Sequence, residues 1–109
     1  MSRDVRCSIH RTRRRTAYAA AAGVTGGQRA AAIAAAAGIP ISTHLYPEVA
    51  AHVIRVSETA HWLEWQYWAN PILRQPYEVE AGKLHIPDVP GVGLEWDEKA
   101  VAAHLAESF

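Results

Sequence analysis

"GIPISTHLYPEVAAHV", residues 38–53, starts as a short apolar run, stops at His44 and restarts as an amphipathic helix. Ile39, Ile41 and Thr43 are β-branched and suit a pleated, half-buried strand. Pro47 suits the first turn of a helix, because its ring fixes φ and its missing N–H is one that a helix start leaves unbonded. In α/β proteins functional side chains gather where a strand ends and the next loop begins. His44 occupies that position, and the surrounding sequence decides what it can do there.

Upstream, "GVTGGQRAAAIAAAAGIP" predicts a glycine turn and then an Ala-rich helix from about Gln28 to Ala37, with Gly38 as its C-terminal signal. Downstream, "PEVAAHVIRVS" predicts a helix and "TAHWLEW" a second, aromatic-rich strand. Helix, strand, helix, strand with short connections argues for parallel α/β units. Such units bury their strands only when neighbours cover both faces. From about Asn70 the character changes, with Pro71, Pro76, Pro87 and Pro90 punctuating extended pieces. "YEVEAGKLHI" predicts a hairpin about Ala81-Gly82. A final helix is expected from about Glu98 to Ala106, after Asp97, a good N-cap residue.

The 109 residues leave room for one small domain. The formal net charge is zero but uneven: residues 1–22 hold six Arg against Asp4, and residues 23–109 hold five basic against ten acidic side chains. Residues 1–16, "MSRDVRCSIHRTRRRT", show no periodicity and read as solvated, and residues 17–22 as an Ala-rich bridge. A lone Cys7 gives no disulfide framework and fits a reducing, cytoplasmic compartment. No apolar run approaches the roughly 20 residues of a membrane span. The Arg-rich start is a poor secretory signal, since no Leu/Val-rich core follows it.

Glu64 closes the second expected strand, 20 residues after His44 and one βα unit on. Two such groups at the ends of adjacent parallel strands, about 4.8 Å apart, point into one mouth. A neutral imidazole there can take a proton, and a carboxyl group can hydrogen-bond a developing oxyanion. A loop histidine with a satisfied hydrogen bond and a solvated edge glutamate are the plainer alternatives for the same residues. His52 and His61 read as structural, on a helix face and within a strand. A metal site built from His44, His52 and His61 matches no familiar ligand spacing. Trp62, Trp65, Trp68 and Trp96 read as packing rather than a ligand cage. The Arg-rich start could serve as a phosphate-binding arm for nucleic acid. The rest of the chain is net acidic, however, and carries no nucleic-acid-binding motif.

"AGVTGGQRAAAIAAAAGIPISTHLYPEVAAHV", "TAHWLEW" and "IPDVPGVGLEWDEKAV" together resemble the C-terminal end of the mandelate racemase group of the enolase superfamily, a family that includes the muconate lactonizing enzymes. The resemblance covers about residues 22–105. It implies an α/β fold: the C-terminal fragment of a (β/α)7β, TIM-like barrel, with its last two strands and helices, plus a tail that packs toward a cap domain. It implies residues 1–21 as a segment outside the fold, disordered or out of frame, residues 22–69 as the last βα units, and residues 70–109 as the extended tail. It further implies a magnesium-dependent enzyme that abstracts the α-proton of a carboxylate or sugar acid, as a racemase or a dehydratase. By position, His44 resembles the acid/base of the family's His-Asp dyad. Glu64 resembles the group that donates a hydrogen bond to the substrate carboxylate.

The same resemblance exposes departures. The dyad aspartate belongs 27 residues before His44, where Ala17 stands. The strands implied to carry the three magnesium ligands and a second base, a lysine, have no counterpart in the sequence. The chain is therefore expected to bind no Mg2+ and to be inactive by itself, and its open strand edges are expected to favour self-association. A frameshift or mis-called start is expected upstream of residue 22, where the resemblance begins. Otherwise the chain is expected to act as a docking subunit that completes a separately encoded barrel.

Overall fold

In a computed structural model, residues 23–105 are described in full and residues 4–6 and 17–20 as strands. The elements run β1 (Asp4–Arg6), β2 (Ala17–Ala20), α1 (Gly23–Ala36), β3 (Ile41–His44), α2 (Pro47–Arg55), a 3-10 turn (Asn70–Ile72), β4 (Glu78–Glu80), β5 (Lys83–His85) and α3 (Glu98–Ala103). Two strands thus lie within residues 1–21, for which composition alone offered no strand pattern. The remaining residues of that segment fall outside the described residues.

β3 is the central strand of a parallel arrangement. On one side β2 pairs with it in parallel, Ala17 opposite Ile41 and Ala20 opposite His44. On the other side the backbone of residues 59–62 follows it: the Ile41 N–H donates to the Thr59 carbonyl, the His61 N–H to the Ile41 carbonyl, and the Thr43 N–H to the Trp62 carbonyl. Ile41 and Ala60 form a bridge there, and the expected second strand is present as a short segment without a continuous ladder. The helices α1 and α2 connect these three parallel pieces, giving two successive strand–helix–strand units.

α1 begins five residues before its expected start, absorbing "GVTGG" into its first turns. Tertiary contact overrides the poor helix propensity of glycine here. A Cβ on Gly27 would stand 3.3 Å from Val53 Cγ1, so glycine lets α1 lie close against α2. The helix ends as expected: Gly38 takes φ 63°, while the Ile39 N–H donates to the Ala34 carbonyl and the Gly38 N–H to the Ala35 carbonyl. That double closure is the glycine-terminated Schellman motif. α2 starts with Pro47 in its first turn and buries Ala51 and Ile54.

The C-terminal segment follows its local signals. Ala81 and Gly82 take φ 49° and 74°, the two positive values that a two-residue hairpin turn needs. β4 and β5 pair antiparallel through that turn, and β1 adds to the other edge of β5. Asp97 caps α3, its carboxylate accepting from the Lys99 and Ala100 amides. α3 ends at Ala103, with His104 as its C-cap, so it stops short of its expected span; of that span only Ala106 lies outside the described residues.

One core joins these parts. Ile41, Ile54, Leu63 and Leu84 are its largest fully enclosed side chains, surrounded by Ala31, Ala34, Ala51, Trp65, Tyr77 and Ile86. The tryptophans divide: Trp65 is buried and stacks on Tyr77 with ring centroids 6.3 Å apart, whereas Trp68 is 77% exposed. The expectation that all four serve packing fails at Trp68 and at Trp96, which is also exposed. Among the described residues no helix is long and apolar enough to cross a membrane.

Tyr77 fastens the C-terminal segment to α2. Its hydroxyl donates to the Val92 carbonyl and lies 2.9 Å from His52 Nε2. Burial, with the Glu48 carboxylate adding to it, pushes its pKa up to about 12, so the hydroxyl keeps its proton across the working range. His52 is structural, as its sequence position suggested. Tyr77→Phe should strand the partners of this hydroxyl and cost about 1–3 kcal/mol, read as a lowered urea midpoint at constant slope.

Candidate active site

The mouth of the parallel arrangement is formed where β3 and residues 59–63 end. β3 gives up its ladder at His44 because the next two residues, Leu45 and Tyr46, take φ 62° and 48°. Positive φ is unfavourable for side chains with a Cβ, and two in succession reverse the chain before α2 can begin. Pro47 shares in the cause, since a residue preceding proline is excluded from the right-handed helical region. The Tyr46 carbonyl then accepts from the Val49 and Ala50 amides and opens α2.

Across the mouth, Glu64 follows the fully buried Leu63. Its Oε2 lies 2.6 Å from His44 Nδ1 and accepts the Leu45 N–H at 3.0 Å. The structure therefore brings His44 and Glu64 together, as their spacing suggested. It adds a third participant, the Leu45 amide, which no sequence signal could reveal because every non-proline residue carries such a donor. His44 and Glu64 side chains are 49% and 36% exposed, so the pair is open to a ligand.

Burial acts to raise the Glu64 carboxyl, but the Leu45 amide, His44 and the Gln66 side chain outweigh it and hold the group below its ordinary 4.5. An ionised carboxylate only accepts hydrogen bonds, so His44 Nδ1 is the donor and carries the proton. Its other ring nitrogen, Nε2, meets no partner among the described residues, and in the neutral ring this nitrogen has the free lone pair of a base.

His52 and His61 do not join this pair. His52 is held by Tyr77, and His61 sits edge-on to Trp62 with its backbone in the parallel ladder. Among the described residues no group of three or more His, Cys, Asp or Glu is placed to hold a metal ion. A groove of about 990 Å³ between the β4–β5 hairpin and residues 87–95 has neither His44 nor Glu64 in its lining.

The lowered carboxyl has a consequence for stability. Folding depresses the Glu64 pKa, so the unfolded chain binds more protons at this group. Its contribution is present above about pH 4.5 and is lost as pH falls through the folded-state value. The difference in urea midpoint between the wild type and Glu64→Ala should therefore shrink between pH 6 and pH 3. A difference that grows over that interval would contradict the assigned contacts.

The comparison with known proteins agrees with this architecture. Residues 16–100 match the family described as enolase C-terminal domain-like. That match begins beside β2, ahead of the boundary expected at residue 22. An enolase from alpha proteobacterium BAL199, solved with bound magnesium, is 67% identical, with a TM-score of 0.72 over 74% of this chain and 22% of that one. An enolase from Bradyrhizobium, in complex with magnesium and mandelic acid, is 47% identical with a TM-score of 0.69 over the same shares. A D-gluconate dehydratase from Thermoproteus tenax is 27% identical over 78% of this chain and 19% of that protein. The chain thus spans about a fifth of the length of the relatives it matches. With the motif around His44, the parallel strand–helix units and a match over residues 16–100 in agreement, the chain belongs to the enolase C-terminal domain-like family of the mandelate racemase and enolase superfamily.

Proposed function

We propose that this chain supplies the proton-transfer corner of an enolase-superfamily enzyme acting on an α-hydroxy carboxylate, as a racemase or an acid-sugar dehydratase. The observation that carries this reading is the meeting of His44 and Glu64 at the ends of neighbouring parallel segments, 2.6 Å apart and half exposed. In this reading β2, β3 and residues 59–63 are consecutive strands of the barrel, and residues 70–109 are the tail that packs toward a cap. His44 Nε2 takes the α-proton, the electron pair moves into the substrate carboxylate, and the enolate is then reprotonated or expels a β-hydroxyl group.

Glu64 would donate to the substrate carboxylate in its protonated form. The approach of a second negative charge favours that form, since two neighbouring carboxylates resist joint ionisation. Relatives are solved with magnesium, but the described residues do not provide a ligand set for it. No step of this reading runs through a metal on this chain. Such an ion would stabilise the enolate from ligands elsewhere in a complete barrel.

The test follows α-proton exchange into deuterated water by NMR, with mandelate and glucarate as substrates. The 109-residue chain alone should show none, with or without magnesium. Grafted in place of the matching segment of the alpha proteobacterial enolase, it should support exchange that His44→Asn abolishes. Glu64→Gln should then cost on the order of 10²–10³-fold, the usual loss for one oxyanion donor. Exchange that survives His44→Asn in the graft would sink the base assignment.

Self-association belongs to the same reading. Trp68, Tyr67 and Trp96 are 77%, 57% and 49% exposed, apolar surface of the kind that a larger barrel would cover. Sedimentation velocity of the isolated chain should give a coefficient that rises with concentration. A concentration-independent monomer with one sharp thermal transition would count against it.

A further inference from the structure

The residue that orients a catalytic histidine need not be the one that the resemblance implies. At Ala17, where the resemblance expects an aspartate, and at Ala20, which the strand register sets opposite His44, the side chain is a methyl group. The carboxyl group that the structure places on His44 Nδ1 comes instead from the opposite neighbour, the segment ending in Glu64.

Two further observations show that this contact is built into the fold. The oxygen that meets Nδ1, Oε2, also accepts the Leu45 N–H, so one atom grips both the imidazole and the backbone beside it. Leu45 and Tyr46 are the two residues held at positive φ, and conformations of this kind persist only when surrounding contacts over-determine them. The grip and the strained turn lie at the same residue. An imidazole whose Nδ1–H is held by a carboxylate has its tautomer and ring plane fixed, which presents Nε2 as the unprotonated nitrogen.

We infer that Glu64 is a positioning residue for His44: its Oε2, shared with the Leu45 amide, holds the imidazole as the Nδ1–H tautomer and leaves Nε2 free at the mouth. This deepens the proposed function and rests on it for the role of Nε2, while the pairing itself is a property of the chain as it stands. Before substrate arrives, Glu64 therefore serves the base rather than the substrate.

Long-range 1H–15N correlation on the full-length, 15N-labelled chain at pH 8 reads the tautomer directly. In the wild type, His44 Nδ1 should resonate as a protonated, pyrrole-type nitrogen and Nε2 as a bare, pyridine-type nitrogen. Glu64→Ala should remove that pattern and shift the Leu45 amide upfield, while the resonances of Leu84, in the β4–β5 hairpin, stay in place. A wild-type ring carrying its proton on Nε2 overturns the inference, as does a folded Glu64→Ala chain with an unchanged His44 pattern. Should Glu64→Ala fail to fold, the wild-type tautomer decides alone. Failure of the catalytic reading looks different: the Nδ1–H tautomer is present, yet His44→Asn leaves exchange in the grafted barrel intact.

Discussion

A single carboxylate oxygen at the mouth of three parallel segments holds the site together. Glu64 Oε2 receives the His44 ring and the Leu45 amide, and those donors belong to the residue that ends β3 and the residue that begins its reversal. Two successive non-glycine residues at positive φ cost on the order of 1–3 kcal/mol each. The charge-assisted bond to Leu45 offsets part of that cost, and the two bonds that the Tyr46 carbonyl accepts from α2 offset more.

The position of that oxygen depends on packing further down. Leu63, directly before Glu64, is fully buried, and the backbone of residues 59–62 is tied to β3 by three hydrogen bonds. The approach of the two strand ends is thus set by the core. Trp65, one residue after Glu64, stacks on Tyr77, and the Tyr77 hydroxyl reaches the Val92 carbonyl and His52. The C-terminal segment, from the hairpin to the loop at Val92, is thereby anchored to α2 and to the same side of the core that positions the site. That anchoring steadies the segment that carries Glu64.

Locally coded features were readable from the amino-acid sequence. The strand stop at His44, Pro47 opening α2, Gly38 closing α1, the Ala81-Gly82 turn and the Asp97 cap each depend on one or two residues whose backbone preferences act over a few bonds. The motifs around His44 and Glu64 identified the family, and the family match agrees. The start of α1 and the strand character of Ala17–Ala20 were not readable. Both go against local preference: glycine is a poor helix former and alanine a poor strand former. The close approach of Gly27 to Val53 and the pairing of β2 with β3 come from residues distant in sequence. By itself, then, the sequence determined which residues stand at the mouth, and their chemical types limited what they can do there. Only the tertiary structure decided that Glu64 meets His44, because a hydrogen-bond partner is chosen by where two strand ends come to rest, and burial of Ile41, Ile54 and Leu63 in one core fixes that.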